Sequence, residues 1–257
     1  MTLFDMSGKV AVITGSTRGI GRAIAERMAE HGAKVVISSR KQNVCDQVTN
    51  EINDRFGKET AIAIAANISS KENLQNLVEV STKAFGKIDV LVCNAASNPY
   101  YGPLATISDD QFNKILSNNI IANNWLISMV VPQMIERKDG SIIIISSIGG
   151  LKGSTTLGAY AISKAADMQL ARNLACEYGL HNVRVNCVAP GLVKTDFAKA
   201  LWDDPDNLKA STSRSPLLRI GIPDEIAGVA VLMGSAAGNF MTGQTVVIDG
   251  GATISLA

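Results

Sequence analysis

The chain has 257 residues, 46% of them hydrophobic and 18% charged, with a formal net charge of +1. This composition fits a compact globular fold and excludes a disordered chain. The near-neutral charge, without a long basic run, predicts no nucleic-acid partner and no membrane-surface patch, and no apolar stretch is long enough to span a bilayer. Cys45, Cys93, Cys176 and Cys187 form no CxxC pair, and His31 and His181 are the two histidines, so no metal site is expected. Scattered reduced thiols suit a cytoplasmic location. The opening MTLFDMSGKV shows neither a basic leader nor an apolar stretch, so no secretory signal is expected. The closing Ile254-Ser255-Leu256-Ala257 does not read as a peroxisomal address.

In chain order, short apolar runs alternate with longer amphipathic ones. Residues 9–13 (KVAVI), 34–38 (KVVIS), 61–65 (AIAIA), 88–92 (IDVLV), 141–146 (SIIIIS), 183–188 (VRVNCV) and 245–248 (TVVI) are rich in Val and Ile and predict strands. Several are apolar on both faces, as central parallel strands are. Residues 19–31, 43–56, 71–85, 109–136, 157–178 and 224–234 predict helices, the first stopping before Gly32, a suitable helix-ending glycine. The alternation predicts an α/β, doubly wound, mainly parallel seven-stranded sheet with helices on both faces. No repeat or linker divides residues 1–257, so one domain is expected. Residues 194–222 break the rhythm, and their polar stretch 203–215 reads as an insertion, a lid over a ligand.

The first strand runs into Thr14-Gly15-Ser16-Thr17-Arg18-Gly19-Ile20-Gly21, which opens a helix. Glycines allow a tight turn and close approach to a phosphate, and the helix N-terminus offers free N–H groups and a positive dipole end. At the end of the second strand an NAD site would place an acid for the ribose 2′-hydroxyl. This chain has Ser38-Ser39-Arg40-Lys41 instead. Two cations, with Arg18 as a third, suit a 2′-phosphate, so NADP(H) is preferred and NAD(H) is the alternative.

Tyr160 and Lys164 lie four apart in YAISK, on one face of a helix. A free phenol titrates near pH ~10, and a nearby ammonium favours its ionised form. The pair can then exchange a proton with a carbonyl or alcohol oxygen. On spacing alone, a partly buried tyrosine and a surface lysine explain it better, because such spacing is common by chance. Ser146-Ser147 close the SIIIIS strand at the edge where ligands of such sheets bind, and Ser147 can donate to a substrate oxygen. Asn118-Asn119 interrupt a helix, which asparagine disfavours, and point to a local use unless the pair is simply exposed.

TGSTRGIG, Asn94-Ala95-Ala96, Ser147, YAISK and Pro190-Gly191, in that order, resemble the short-chain dehydrogenase/reductase family over residues 7–251. The resemblance implies a Rossmann-like fold with dinucleotide-binding and catalytic parts in one domain, and small-molecule carbonyl or alcohol substrates. It implies that Tyr160 is the acid/base, that Lys164 tunes it and binds ribose, and that Ser147 polarises the carbonyl. The family's interval, thirteen positions before Tyr160, selects Ser147 over Ser146. Asn119 matches the asparagine of a water-mediated proton relay. Cofactor contacts are implied for Gly15, Ser16, Thr17, Arg18, Gly19, Ile20, Gly21, Ser39, Arg40, Lys41, Asn67, Ile68, Asn94, Ala95, Ala96, Pro190, Gly191, Val193 and Thr195, besides Tyr160 and Lys164. A homotetramer pairing the long helices 109–136 and 157–178 is also implied. Asn67 stands where the family has Asp, and its amide oxygen can still accept from adenine. Ala96 replaces a glycine, which is harmless unless that backbone needs positive φ.

SSRK and PGLVKTDFAKALW are most similar to NADP-dependent carbonyl reductases of the dehydrogenase/reductase member 4 type and their bacterial relatives. The expected activity is hydride transfer between NADP(H) and a medium-sized apolar ketone or aldehyde. Substrate candidates are Ser147, Asn98, Tyr100, Gly153 and Trp202, with Phe197 and Leu201 also in the lid; Trp202 fits lid packing equally. The alternatives are a 3-oxoacyl-(acyl carrier protein) reductase, with Arg137 and Arg172 docking an acidic carrier, and a non-catalytic NADP-binding protein.

Overall fold

Val- and Ile-rich runs became the sheet. In the computed structural model, which describes residues 2–213 and 215–255, the strands are β1 (Val10–Thr14), β2 (Lys34–Ser38), β3 (Ala61–Ala63), β4 (Val90–Cys93), β5 (Gly140–Ile145), β6 (Val183–Pro190) and β7 (Thr245–Ile248). They pair in the order β3-β2-β1-β4-β5-β6-β7. Every pairing is parallel, so the sheet expected to be mainly parallel is wholly so among the described residues. Arg214, within the expected lid, and Leu256 and Ala257 of the terminal tetrapeptide lie outside the described residues.

Alternate side chains of each strand enter different cores. Ile143 and Ile145 of β5 join one cluster, and Ile142 and Ile144 join the other. α1 (Gly19–Glu30), α2 (Gln42–Phe56) and α9 (Pro223–Gly234) cover the first face with Ile24, Met28, Val48, Ile52 and Ile226. α3 (Lys71–Phe85), α5 (Ala122–Arg137) and α6 (Gly158–Tyr178) cover the second with Leu74, Leu77, Leu126, Met168 and Leu174. A fully buried Ile or Leu stabilises by about 1.5–3 kcal/mol, so a strand apolar on both faces is fixed in the middle layer.

Two segments differ from expectation. The helix predicted over 109–136 is α4 (Asp109–Leu116), then a π-helical turn at Ser117–Ile121, then α5. The extra residue of the π turn coincides with Asn118 and Asn119, both buried, so the exposed alternative for that pair is excluded. The excursion at 194–222 is also not a plain polar loop. It holds a 3-10 turn at Asp196–Ala198, α7 (Lys199–Trp202) and α8 (Pro205–Thr212). α8 starts at Asp204, whose carboxylate accepts from the N–H groups of Asp206 and Asn207, with Pro205 in the first turn. Val193 and Gly221 form a parallel bridge, so the two ends of the excursion meet.

Candidate active site

Strand order reverses between β1 and β4, and the crevice outside their C-terminal ends is where open α/β sheets bind ligands. Segments following β1, β4, β5 and β6 meet there. Gly15 and Gly19 have φ of +66° and +57°, which L side chains rarely adopt. A Cβ on Gly21 would lie 2.4 Å from both Asn94 Nδ2 and Gly15 O. Asn94 sews the turn to β4, its Nδ2 donating to Thr14 O at 2.8 Å and Gly15 O at 3.2 Å. The N–H groups of Asn94 and Ala95 both donate to Thr14 Oγ1 at 3.1 Å. Ala96 is not among the residues with positive φ, so replacing a glycine there strains nothing. The first turn of α1 has no side-chain cap and no acidic residue, leaving its N–H groups for an anion.

Within the turn the predicted residues diverge. The Ser16 hydroxyl is buried, donating to Ile13 O at 2.7 Å and accepting from Ser38 N at 2.8 Å, so it joins β1 to β2. Ile20 packs on the core, and Thr17 stays partly exposed. Arg18 pairs with Asp196 at 3.2 Å, and the Thr195 methyl lies beside Gly19, so the start of the excursion rests on the phosphate turn. Past β2, Ser39 Oγ lies 3.3 Å from Cys45 Sγ. The Arg40 and Lys41 side chains are exposed, with no side-chain hydrogen bond or ion pair among the described residues. Asn67 Oδ1 accepts from Ser69 N at 3.2 Å and keeps a lone pair for a further donor. Ile68 packs against the second core.

A hydrogen-bonded cluster links the π turn to α6. Asn119 Oδ1 accepts from Ser97 N at 2.9 Å, and its Nδ2 donates to Ser97 O at 3.1 Å and Ser163 Oγ at 3.0 Å. Ser163 Oγ in turn donates to Tyr160 O at 2.7 Å. Asn118 bonds Ser69 Oγ at 2.8 Å and Ser97 Oγ at 2.9 Å, holding the loop after β4. Tyr160 is half-buried, and Lys164 Nζ lies 5.7 Å from its ring centroid. Lys164 Nζ donates to Ile145 O at 2.8 Å and to Asp167 Oδ2 at 2.9 Å. Burial works to lower the Lys164 pKa, but the Asp167 charge and hydrogen bond, with Tyr160, raise it overall. Burial raises the Asp167 carboxyl, and Lys164 and Asn123 oppose that rise. Ser146 Oγ donates to Lys164 O at 2.7 Å, a structural bond. Ser147 Oγ accepts from Gly149 N at 3.0 Å, which leaves its own proton to donate.

The remaining candidates scatter. Tyr100 Oη bonds Pro103 O at 2.9 Å and Thr106 Oγ1 at 2.6 Å, inside its own loop. Trp202 Nε1 donates to Thr195 O at 3.0 Å, the lid-packing alternative. The aromatic neighbour of Tyr160 is Phe197, with ring centroids 6.1 Å apart. Gly153 is exposed, with no neighbour within 4 Å of where a Cβ would sit. Asn98 Oδ1 is buried without a partner among the described residues. Pro190 ends β6, Gly191 N donates to Ile248 O at 2.9 Å, and a Cβ on Gly191 would lie 2.7 Å from Asp249 Cα. Val193 is buried at the neck of the excursion, and Thr195 Oγ1 accepts from Ala198 N at 3.4 Å. Among the described residues no group of His, Cys, Asp or Glu is placed to hold a metal ion, and no helix is long and apolar enough to cross a membrane.

Sequence reading missed Asp167, Asn123 and Ser163. The signal was available for two of them: Asp167 follows Lys164 by three and Asn123 follows Asn119 by four, both same-face helical spacings.

The crevice fits a dinucleotide. Side chains beyond glycine would fill the turn, the α1 N-terminus is open, and two unpaired cations stand past β2. A family model described as enoyl-(acyl carrier protein) reductase matches residues 15–253. Dehydrogenase/reductase SDR family member 4 of Bos taurus is 40% identical over 246 residues, 96% of this chain and 88% of that protein. A gluconate 5-dehydrogenase from Burkholderia cenocepacia, solved with NADP and tartrate, is 30% identical with a TM-score of 0.94 over 99% of this chain and 98% of its own. A 7 alpha-hydroxysteroid dehydrogenase solved with NADH and 7-oxo glycochenodeoxycholic acid is 32% identical with a TM-score of 0.92, covering 97% and 96%. With its wholly parallel sheet, glycine turn and Tyr-Lys helix, the chain belongs to the short-chain dehydrogenase/reductase family.

Proposed function

We propose that this oxidoreductase is an NADP(H)-preferring carbonyl reductase, reversible as an alcohol dehydrogenase, acting on medium-sized apolar ketones or aldehydes. The reading rests on one juxtaposition: the cluster of Asn119, Tyr160 and Lys164, with Ser147 at the end of β5, shares a sheet edge with the glycine turn. When bound, the nicotinamide donates or accepts the hydride. Tyr160 gives a proton to the carbonyl oxygen or takes one from the alcohol. Ser147 donates a hydrogen bond to the same oxygen and stabilises its developing charge. Lys164 has three N–H donors, two of them used on Ile145 and Asp167, so one remains for a ribose hydroxyl. Asn119 orders the loop after β4 and supports a water for proton exchange.

Arg40 and Lys41 hold the 2′-phosphate, which the NADP of the gluconate dehydrogenase structure carries. NAD(H) is the weaker cofactor. Residues 1–257 act as one domain, with residues 194–222 as a lid and Phe197 rather than Trp202 facing the reacting centre. The active form is a cytoplasmic homotetramer paired through α4–α5 and α6. Arg137 is engaged with Ile88 O and Gln133, and Arg172 with Gln169, which favours free ketones over an acidic carrier.

The test is a panel of ketones, aldehydes and the matching alcohols, with a loaded acyl carrier alongside, assayed with both cofactors by nicotinamide absorbance. Turnover of apolar ketones with NADPH is expected. Preference for the carrier-bound substrate would replace this reading, and silence across the panel would refute it.

A further inference from the structure

α6 turns one face to the second core through Met168, Ala171, Leu174 and Ala175. On the same buried side it also carries an acid. Asp167 is 0% exposed and Lys164 is 2% exposed. A buried ion pair is poor material for stability, because desolvation offsets much of the attraction and an apolar pair of similar volume often does as well. Its retention in such a place therefore asks for a use. Both carboxylate oxygens of Asp167 are committed, Oδ2 accepting from Lys164 Nζ at 2.9 Å and Oδ1 from Asn123 Nδ2 at 3.2 Å, and its backbone oxygen accepts from Cys187 Sγ at 3.3 Å. Asn123 donates as well to Asn119 O at 2.6 Å, so the carboxylate is oriented from the helix that carries Asn119.

We propose that Asp167 is a positioning residue, which fixes the Lys164 ammonium beside Tyr160 through a buried ion pair oriented by Asn123. The proposal rests on the carbonyl-reductase reading, in which Lys164 must present one donor to ribose and a positive charge to Tyr160. An ammonium tied to Ile145 O and Asp167 Oδ2 has its third N–H direction set before a ligand arrives. Asp167 also opposes the loss of the Lys164 proton that burial alone would favour. The thiols, carbonyl and amides around the pair supply no competing charge. Cys187 on β6 and Cys93 on β4 are pushed up by burial and stay neutral thiols, β5 offers the carbonyl of Ile145, and α5 and the π turn offer the neutral amides of Asn123 and Asn119. Tyr160 is the remaining titratable neighbour on α6, and Arg172 acts on this cluster through Cys187.

The experiment compares wild type with Asp167→Asn, which keeps the shape and removes the charge. Lysine labelled with ¹³C at Cε is followed by NMR over pH, with Lys164→Met identifying the resonance. In parallel, kcat is measured against pH with an active ketone. In Asp167→Asn the Lys164 titration and the alkaline limb of kcat are expected to move down together by about one pH unit or more. A folded variant in which neither moves would overturn the proposal and leave Asp167 a packing residue. If Asp167→Asn does not fold, wild type decides: Lys164 is expected to keep its proton beyond the exposed lysines, and earlier loss overturns the idea. If wild type turns over nothing in the panel, the functional reading fails, while the NMR arm still judges the ion pair.

Discussion

The two halves of the crevice are built in opposite ways. On the α5–α6 side, Asn119, Ser163, Lys164, Asp167 and Asn123 form a buried network in which each polar group has a partner within the protein. On the β2 side, the Arg40 and Lys41 side chains stand exposed with no partner among the described residues. On the proposed reading, the difference follows from what each half does. Proton transfer needs groups held in place before the substrate arrives, and a low-dielectric surround strengthens their interactions. Cation recognition of a phosphate needs donors that give up nothing but water when the anion binds. Preorganisation is thus concentrated where bonds change, and openness where the cofactor is chosen.

That contrast can be broken at its chemical end first. Tyr160→Phe is expected to lower kcat by about 10²–10⁴-fold, the usual contribution of a positioned acid/base, with cofactor binding kept. Stopped turnover together with lost cofactor affinity would show that Tyr160 is structural. Next comes the hinge between the halves. Gly21→Ala places a methyl 2.4 Å from Asn94 Nδ2 and Gly15 O, forcing the turn apart. Such overpacking costs about 1–3 kcal/mol, read as a lower melting temperature and weaker binding of both cofactors. At the open end, Arg40→Ala is expected to weaken NADPH by about tenfold or more, the worth of a charge-assisted bond, and NADH little. Equal losses, measured by fluorescence titration, would remove Arg40 from the 2′-phosphate site.

The smallest effect concerns the excursion. The Arg219 hydrogen bond and the Ile222 N–H lower Glu225 from the ordinary 4.5 to about 2. Because the folded value is depressed, this contribution is present above pH 4.5 and is lost as pH falls toward about 2. Hydrogen exchange should show residues 194–222 losing protection over that window, whereas Glu225→Gln should start lower and show no acid step.

Most of the sheet was legible because strands apolar on both faces and evenly spaced amphipathic runs leave few other packings. β3 ended early at Ala63, although backbone bonds to the β2 side run on from Ile64 N to Ile37 O and from Ala66 N to Ser39 O, with Ala65 N between them bonding the Gln42 side chain. The π turn was hidden, because a helical period continues on both sides and one inserted residue barely alters it; the paired Asn118 and Asn119 were its trace. Ser16 shows a different limit. Its place in the glycine turn suggested a ligand contact, but the hydroxyl had a nearer partner in the backbone of β2. The spacing of Asp167 from Lys164 placed the two on one helix face, but its burial depends on which face α6 turns to the sheet. Tyr100 and Trp202 were aromatic residues in the right loops whose polar atoms found partners close along the chain.

The bridge between Val193 and Gly221 gives the excursion a neck. Once a neck is closed, lengthening the loop beyond it is cheap: each doubling adds only about 0.6 kcal/mol of closure entropy. The segment over the crevice can therefore be lengthened, shortened or rewritten with little consequence for the sheet below. A single catalytic edge can in this way serve a changing repertoire of substrates, the chemistry staying fixed while the cover is exchanged.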